Sequence, residues 1–233
     1  MIFIPLILAH LLGDFLLQPN SWVADKERKK AGSVYLYLHI LLHAVLAFVF
    51  LWNIELWWIA VIIGVSHFLI DWAKLNFQNA KTKRTWFFVD QLLHVLVIGA
   101  LSMLYFPYFM WDDFFNSESL KLITAVVFLT VPSSIFIKIL ISIWTPVTVE
   151  HSKLQTESLV NAGKYIGILE RLLVFVFILV DHWEGVGFMI AAKSVFRFSD
   201  LAEAKQRKLT EYVLIGTLLS FGIAVLTGIL VKI

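Results

Sequence analysis

Apolar residues run along the chain in long blocks separated by short polar segments: Ile2–Leu17, Val34–Leu51, Leu56–Trp72, Trp86–Phe106, Leu120–Trp144, Tyr165–Val180, Val186–Val195 and Tyr212–Val231. Most approach the ~20 residues that an α-helix needs to cross hydrocarbon. The pattern predicts an all-α, polytopic integral membrane helical bundle of about eight membrane elements. The seventh block is short and reads as a tilted, half-inserted or re-entrant element, which is permitted where protein covers its backbone. The first block has no basic segment before it and no small-residue cleavage site after it, so it reads as a retained span.

The polar segments alternate in charge. Lys26, Arg28, Lys29 and Lys30 follow the first block, Lys74, Lys81, Lys83 and Arg84 the third, Lys153 and Lys164 the fifth, and Arg197, Lys205, Arg207 and Lys208 the seventh. The opposite segments hold Glu55, then Asp112, Asp113 and Glu118, then Asp181 and Glu184. Short loops rich in Lys and Arg stay cytoplasmic, which puts both termini outside. The widest polar stretch, Thr145 to Lys164, reads as a cytoplasmic loop. The chain reads as one integrated membrane domain with a half at 1–110 that carries the His/Asp residues and a half at 111–233.

Composition agrees with a bilayer protein: 60% hydrophobic residues, mean hydropathy +0.83 and 15% charged residues. A net charge of +2 is too small to make nucleic acid a partner. The absence of cysteine excludes disulfides, thiol nucleophiles and thiolate metal sites, so any metal site must be built from His and carboxylate.

Ionisable residues inside the blocks change the picture most. The first block carries His10 and Asp14, the second His39 and His43, the third His67 and Asp71, the fourth Asp90 and His94. Each is an i, i+4 pair, which places both members on one helix face a turn apart. His10, His39, His67 and His94 recur at intervals of 29, 28 and 27 residues, one span plus one loop. Because alternate helices run in opposite directions, all eight side chains fall in one layer, within about 15 Å of the cytoplasmic surface at 1.5 Å of rise per residue. An ionisable group in the membrane costs roughly 2.5–3.5 kcal/mol even on the lenient insertion scale, so three carboxylates and five imidazoles need neutralising or hydrating.

Three readings of that layer stand side by side: a divalent metal site, a proton- or ion-conducting polar core, and a purely structural hydrogen-bonded core. For a metal, imidazole and carboxylate suit zinc first, with manganese or iron as the alternatives. Asp14, Asp71 and Asp90 are then both ligand candidates and candidates for general base. The second half offers Glu170, Arg171, Lys193 and Arg197 as a set to hold an anionic head group, although lysines near helix ends also snorkel and Glu170 also suits pairing with a neighbouring cation.

These residues carry a resemblance. His10-Leu-Leu-Gly-Asp14-Phe-Leu-Leu-Gln18-Pro19, the His39/His43 pair, His67-x-x-x-Asp71, Asp90-Gln91-x-x-His94, the stretch from Gly163 to Arg171 and the stretch from Ala191 to Phe198 resemble the bacterial membrane-protein family catalogued as domain of unknown function 3307, over essentially the whole chain. The resemblance implies a bacterial inner-membrane protein and supplies no reaction. The helical His/Asp pairs are also similar in design to bacterial inner-membrane metal-dependent hydrolases.

GxSxG, HExxH and Walker A sequences are absent, which argues against serine hydrolase, zincin and P-loop ATPase chemistry. On the enzyme side the expectation is metal-dependent hydrolysis of a lipid or other membrane-associated substrate at the cytoplasmic leaflet. The alternatives are an ion- or metal-coupled transporter, and a membrane sensor or assembly subunit. An oligomer is compatible with each.

Overall fold

The computed structural model describes residues 2–105, 118–144, 157–198 and 207–233, with side chains described over 2–105, 118–144, 163–195 and 211–233. All regular structure among the described residues is helical. The chain divides into two units, Met1–Thr124 and Ala125–Ile233.

The first unit opens with α1 (Phe3–Leu11), which widens into a π-helical turn at Leu12–Leu16. Pro19 then stops the helix, because the residue before a proline is pushed away from helical geometry. The chain turns by 83° into α2, Asn20–Lys29. That helix is polar, and it ends where Lys30 adopts a left-handed φ of 52°. Next come α3 (Val34–Leu51), α4 (Trp57–Phe77) and α5 (Lys83–Tyr105).

Helix α3 packs on α1 and α4, and α5 closes the ring by packing on α4 and α1. The buried stripes explain the pairing. Leu6 and His10 on α1, His39, His43 and Ala47 on α3, Ile63, His67 and Asp71 on α4, and Asp90, His94, Ile98 and Leu101 on α5 recur every three or four residues and face inward. One end of the ring is therefore an apolar core of Leu6, Ala47, Ile59, Ile63, Ile98 and Leu101, and the other end is the ionisable layer. Outward positions such as Leu41, Val65, Leu69 and Leu96 are apolar and exposed, as a hydrocarbon-facing surface requires.

Helix α2 lies at the ionisable end. Trp22 stacks on Tyr35 of α3, Lys26 reaches Asp71 of α4 at 2.8 Å, and Glu27 meets Lys83 of α5 at 2.6 Å.

The second unit holds the end of α6 (Glu118–Leu129), then α7 (Val131–Leu140), α8 (Glu157–Leu179), α9 (Trp183–Phe198) and α10 (Arg207–Lys232). Its core is Leu129, Val174, Phe175, Ile178, Val186, Phe221 and Ala224. Gly228 lets α10 approach α8 closely: a Cβ there would stand 2.7 Å from Ile178. Between α6 and α7 the helix breaks at Thr130 with a 43° bend, ahead of Pro132.

Among the described residues four helices are long and apolar enough to cross a membrane: Val34–Leu51, Ile54–Phe77, Lys83–Tyr105 and Glu211–Lys232. The number rises to six if the bent pairs Phe3–Leu16 with Asn20–Gly32, and Glu118–Leu129 with Val131–Trp144, each count as one span. The expected eight is not reached among the described residues. Helix α9 has only 16 residues, and α8 carries Glu157, Lys164, Glu170 and Arg171, which leave too short an uncharged run. The expected loop Thr145–Lys164 also changes character, since the chain is helical from Glu157; residues 145–156 lie outside the described residues. The chain is a multi-helix membrane protein by the length and composition of these helices.

Candidate metal centre

Four helices bring the eight His and Asp side chains to one place. All but Asp14 are buried, and Asp14 is nearly so. The ligand atoms of His10, Asp14, His43 and His67 lie within 4.8 Å of one another, as do those of His39, His67 and Asp71, and those of Asp71, Asp90 and His94.

Asp14 is the hub. Its position follows from the π-helical turn, a local widening that re-aims a side chain without ending the helix. Its Oδ1 stands 3.0 Å from His43 Nε2, 3.2 Å from His39 Nε2 and 3.3 Å from His67 Nε2. Its Oδ2 accepts a hydrogen bond from the Gln91 amide at 2.7 Å, and Gln91 Oε1 lies 3.2 Å from His10 Nε2. The preceding residue must be glycine for this to fit, because a Cβ on Gly13 would lie 2.5 Å from the His43 ring.

Hydrogen bonding alone does not satisfy the cluster. His39 Nε2 and His67 Nε2 approach to 3.2 Å, and in a pair of neutral imidazoles only one can donate to the other. His39 Nδ1 is buried with no hydrogen-bond partner. His94 donates from Nδ1 to the backbone oxygen of Asp90 at 2.7 Å, which leaves Nε2 as a lone pair; that atom too is buried without a partner. A ring N–H given to a backbone carbonyl is the usual way a ligating histidine is held in its tautomer. His10, His43, His67 and His94 line one side of a small cavity whose other wall is Leu6, Ala47, Ile63 and Ile98, with room for a water-sized guest.

Two of the three carboxylates are paired with lysines that the loop pattern concealed. Lys26, read above as a cytoplasmic loop residue, is buried and donates to Asp71 Oδ2 at 2.8 Å. Lys74, also read as a loop residue, lies in the last turn of α4 and donates to Asp90 Oδ2 at 2.8 Å. A signal for Lys74 existed: it stands three residues after Asp71 and seven after His67, on the same helix face. Nothing in the sequence singles out Lys26 from its basic neighbours. Gln91 was visible in its motif, but no spacing rule ties it to residues 77 and 81 positions earlier. Outside the spans, Lys29, Ser33 and Arg28 all donate to Asp25 and hold its carboxyl down at about 2, Lys29 contributing most.

The residues expected to hold an anion divide into separate contacts within the second unit. Arg171 is buried and donates to the backbone oxygens of Leu129 and Thr130 at 2.7 and 3.1 Å, and to the hydroxyls of Ser134 and Ser220. Those carbonyls flank the point where α6 breaks, so the guanidinium is engaged with the break itself, beside the Ser134 N–H and hydroxyl that also reach the Thr130 oxygen. Glu170 pairs with Lys193, whose ammonium also lies 5.4 Å from the Phe221 ring centroid. The Arg197 side chain lies outside the described residues.

No curated protein and no solved structure matches the chain, so the likeness to inner-membrane metal-dependent hydrolases has no relative to support it. A family pattern does match, over residues 2–122 rather than the whole chain; the stretches ending at Arg171 and Phe198 fall beyond it. The matched segment takes in all four ligand-bearing helices and every residue of the Asp14 hub, and by that match the chain belongs to the family described as protein of unknown function (DUF3307).

Proposed function

We propose that the first unit is an intramembrane centre for a divalent cation, zinc first with manganese and iron as alternatives, and that the metal serves hydrolysis of a lipid or other membrane-associated substrate. The carrying observation is the convergence of His39, His43 and His67 Nε2 on Asp14 Oδ1 at 3.0–3.3 Å. Ligand atoms bound 2.0–2.1 Å from a tetrahedral zinc stand about 3.3 Å apart, so these spacings match the edges of a zinc tetrahedron. Three carboxylates face two ammonium groups, which leaves one uncompensated negative charge, and it falls on Asp14 among the imidazoles. A cation held there supplies both the missing charge and a partner for nitrogen lone pairs.

A bound zinc lowers the pKa of a coordinated water and polarises an ester or phosphoryl oxygen. The chain's own residues set the geometry for this. Gln91 orients Asp14, and the Asp90 backbone oxygen orients His94. Of the carboxylates, Asp90 suits the general base, because its Oδ2 is engaged by Lys74 while its Oδ1 is buried with no hydrogen-bond partner. The basic residues Arg28, Lys29, Lys30, Lys81 and Arg84 gather at the end of the bundle where α2 docks, which favours a cytoplasmic-leaflet centre, a bacterial inner-membrane location and external termini.

Elemental analysis of the detergent-purified chain tests the centre. Stoichiometric zinc, manganese or iron is expected in wild type, lost in His67→Ala and Asp14→Asn and retained in Lys164→Ala. Wild type that stays metal-free after reconstitution overturns the reading. For the hydrolase, chelator-sensitive turnover of phospholipid vesicles is expected of wild type and not of Asp90→Asn; equal turnover in both removes Asp90 from the reaction.

A further inference from the structure

The ligand-type residues form three overlapping groups, not one: His10/Asp14/His43/His67, His39/His67/Asp71 and Asp71/Asp90/His94. The second group draws its imidazoles from the hub, and one Nε2 lone pair serves one ion, so Asp71 and Asp90 with His94 are the residues that by type would suit another divalent ion. Both groups already contain a cation. Lys26 Nζ sits 2.8 Å from Asp71 Oδ2 and Lys74 Nζ sits 2.8 Å from Asp90 Oδ2. We infer that the centre holds a single metal ion at the Asp14 hub, and that Lys26 and Lys74 occupy the carboxylates of the other two groups and exclude a second one. This rests on the metal reading above and adds the number of ions and the device that sets it.

Geometry and charge support it independently. A lysine near a membrane helix end ordinarily extends its ammonium outward to the interface. Lys26 does the opposite: it points into the bundle with 5% of its surface exposed. It comes from α2, which reaches that position only because the chain turns by 83° after the π-helical turn. The helix is held there by the Glu27–Lys83 pair and the Trp22–Tyr35 stack, so the ammonium is delivered to Asp71 by a built structure. With three carboxylates and two ammonium groups paired in one core, one divalent ion brings it to a net charge of +1, and a second would bring it to +3. Like charges so placed in a low-dielectric interior repel strongly.

The test is the metal-to-protein ratio of the full chain in detergent after equilibration with zinc and removal of the excess. One zinc per wild-type chain is expected. Lys26→Met frees Asp71 and Lys74→Met frees Asp90, both in the group completed by His94, which shares no ligand with the hub; each is expected to raise the ratio from one to two. The double variant Lys26→Met/Asp71→Asn removes the ammonium and the carboxylate charge together and should stay at one. Two zincs in wild type, or one in both lysine variants, overturn the inference while leaving the metal reading in place. No zinc in wild type overturns the metal reading, and this inference with it. Lys74 is partly exposed and its replacement is the gentler one, so a Lys26→Met chain that fails to fold leaves the Lys74→Met ratio to decide.

Discussion

At the scale of the residue, Asp14 depends on Gly13. The methyl group of Gly13→Ala would meet His43 Cε1 and Nε2 at 2.5 Å, and that ring has little freedom to retreat because it stacks on His67 with centroids 3.7 Å apart. Overpacking of this kind costs about 1–3 kcal/mol. Gly13→Ala should therefore weaken zinc binding by about 5- to 150-fold, as read by competition with a chromogenic chelator. Wild-type affinity in that variant would show that His43 is not a ligand. Which residues form i, i+4 pairs was legible from spacing, since helical periodicity fixes what shares a face. The lysine partners were harder to read, because a basic residue at the end of an apolar block carries the same signal whether it faces water or a buried carboxylate. Only the turn after Pro19 decides that for Lys26.

Elements show the same limit from the other side. Hydropathy averages over a window, so a block such as Leu120–Trp144 reads as one span whether or not it is broken inside. Pro132 hints at the break, but the residue that stabilises it, Arg171, lies 42 positions beyond Leu129. In sequence Arg171 read as an anion clamp because an arginine inside an apolar block is costly without a partner; its partners are two backbone oxygens and the hydroxyls of Ser134 and Ser220, which no sequence pattern displays. Removing it would take the guanidinium donor from the buried Leu129 carbonyl, at about 1–3 kcal/mol, while the Thr130 carbonyl keeps Ser134. Arg171→Leu should lower the unfolding midpoint measured by tryptophan fluorescence. Arg171→Lys should recover little, since an ammonium cannot reproduce the planar fork that bridges both carbonyls. A midpoint unchanged in both would mean that the break is stable without the guanidinium.

For the whole molecule, the family match ends at residue 122 and the first unit at Thr124, so what defines the family is the segment that carries the ionisable layer. That segment was the more legible part, since its inward stripes and outward apolar faces follow one helical period. The outward faces give a prediction: Val65 is 55% exposed near the middle of α4, and Val65→Arg should cost roughly 2.5–3.5 kcal/mol of insertion free energy. A glycosylation-based insertion assay should then show a lower inserted fraction; an unchanged fraction would mean that this face of α4 does not meet lipid. The ring of helices closes through Gln91 and Asp14, which are 77 residues apart. At synthesis rates of 5–20 residues per second, about 4–15 s separate their emergence from the ribosome. His39 and His43 emerge first and give Asp14 its earliest partners, which makes the α1–α3 pair the first assembly step and the arrival of α5 the moment at which the centre becomes complete.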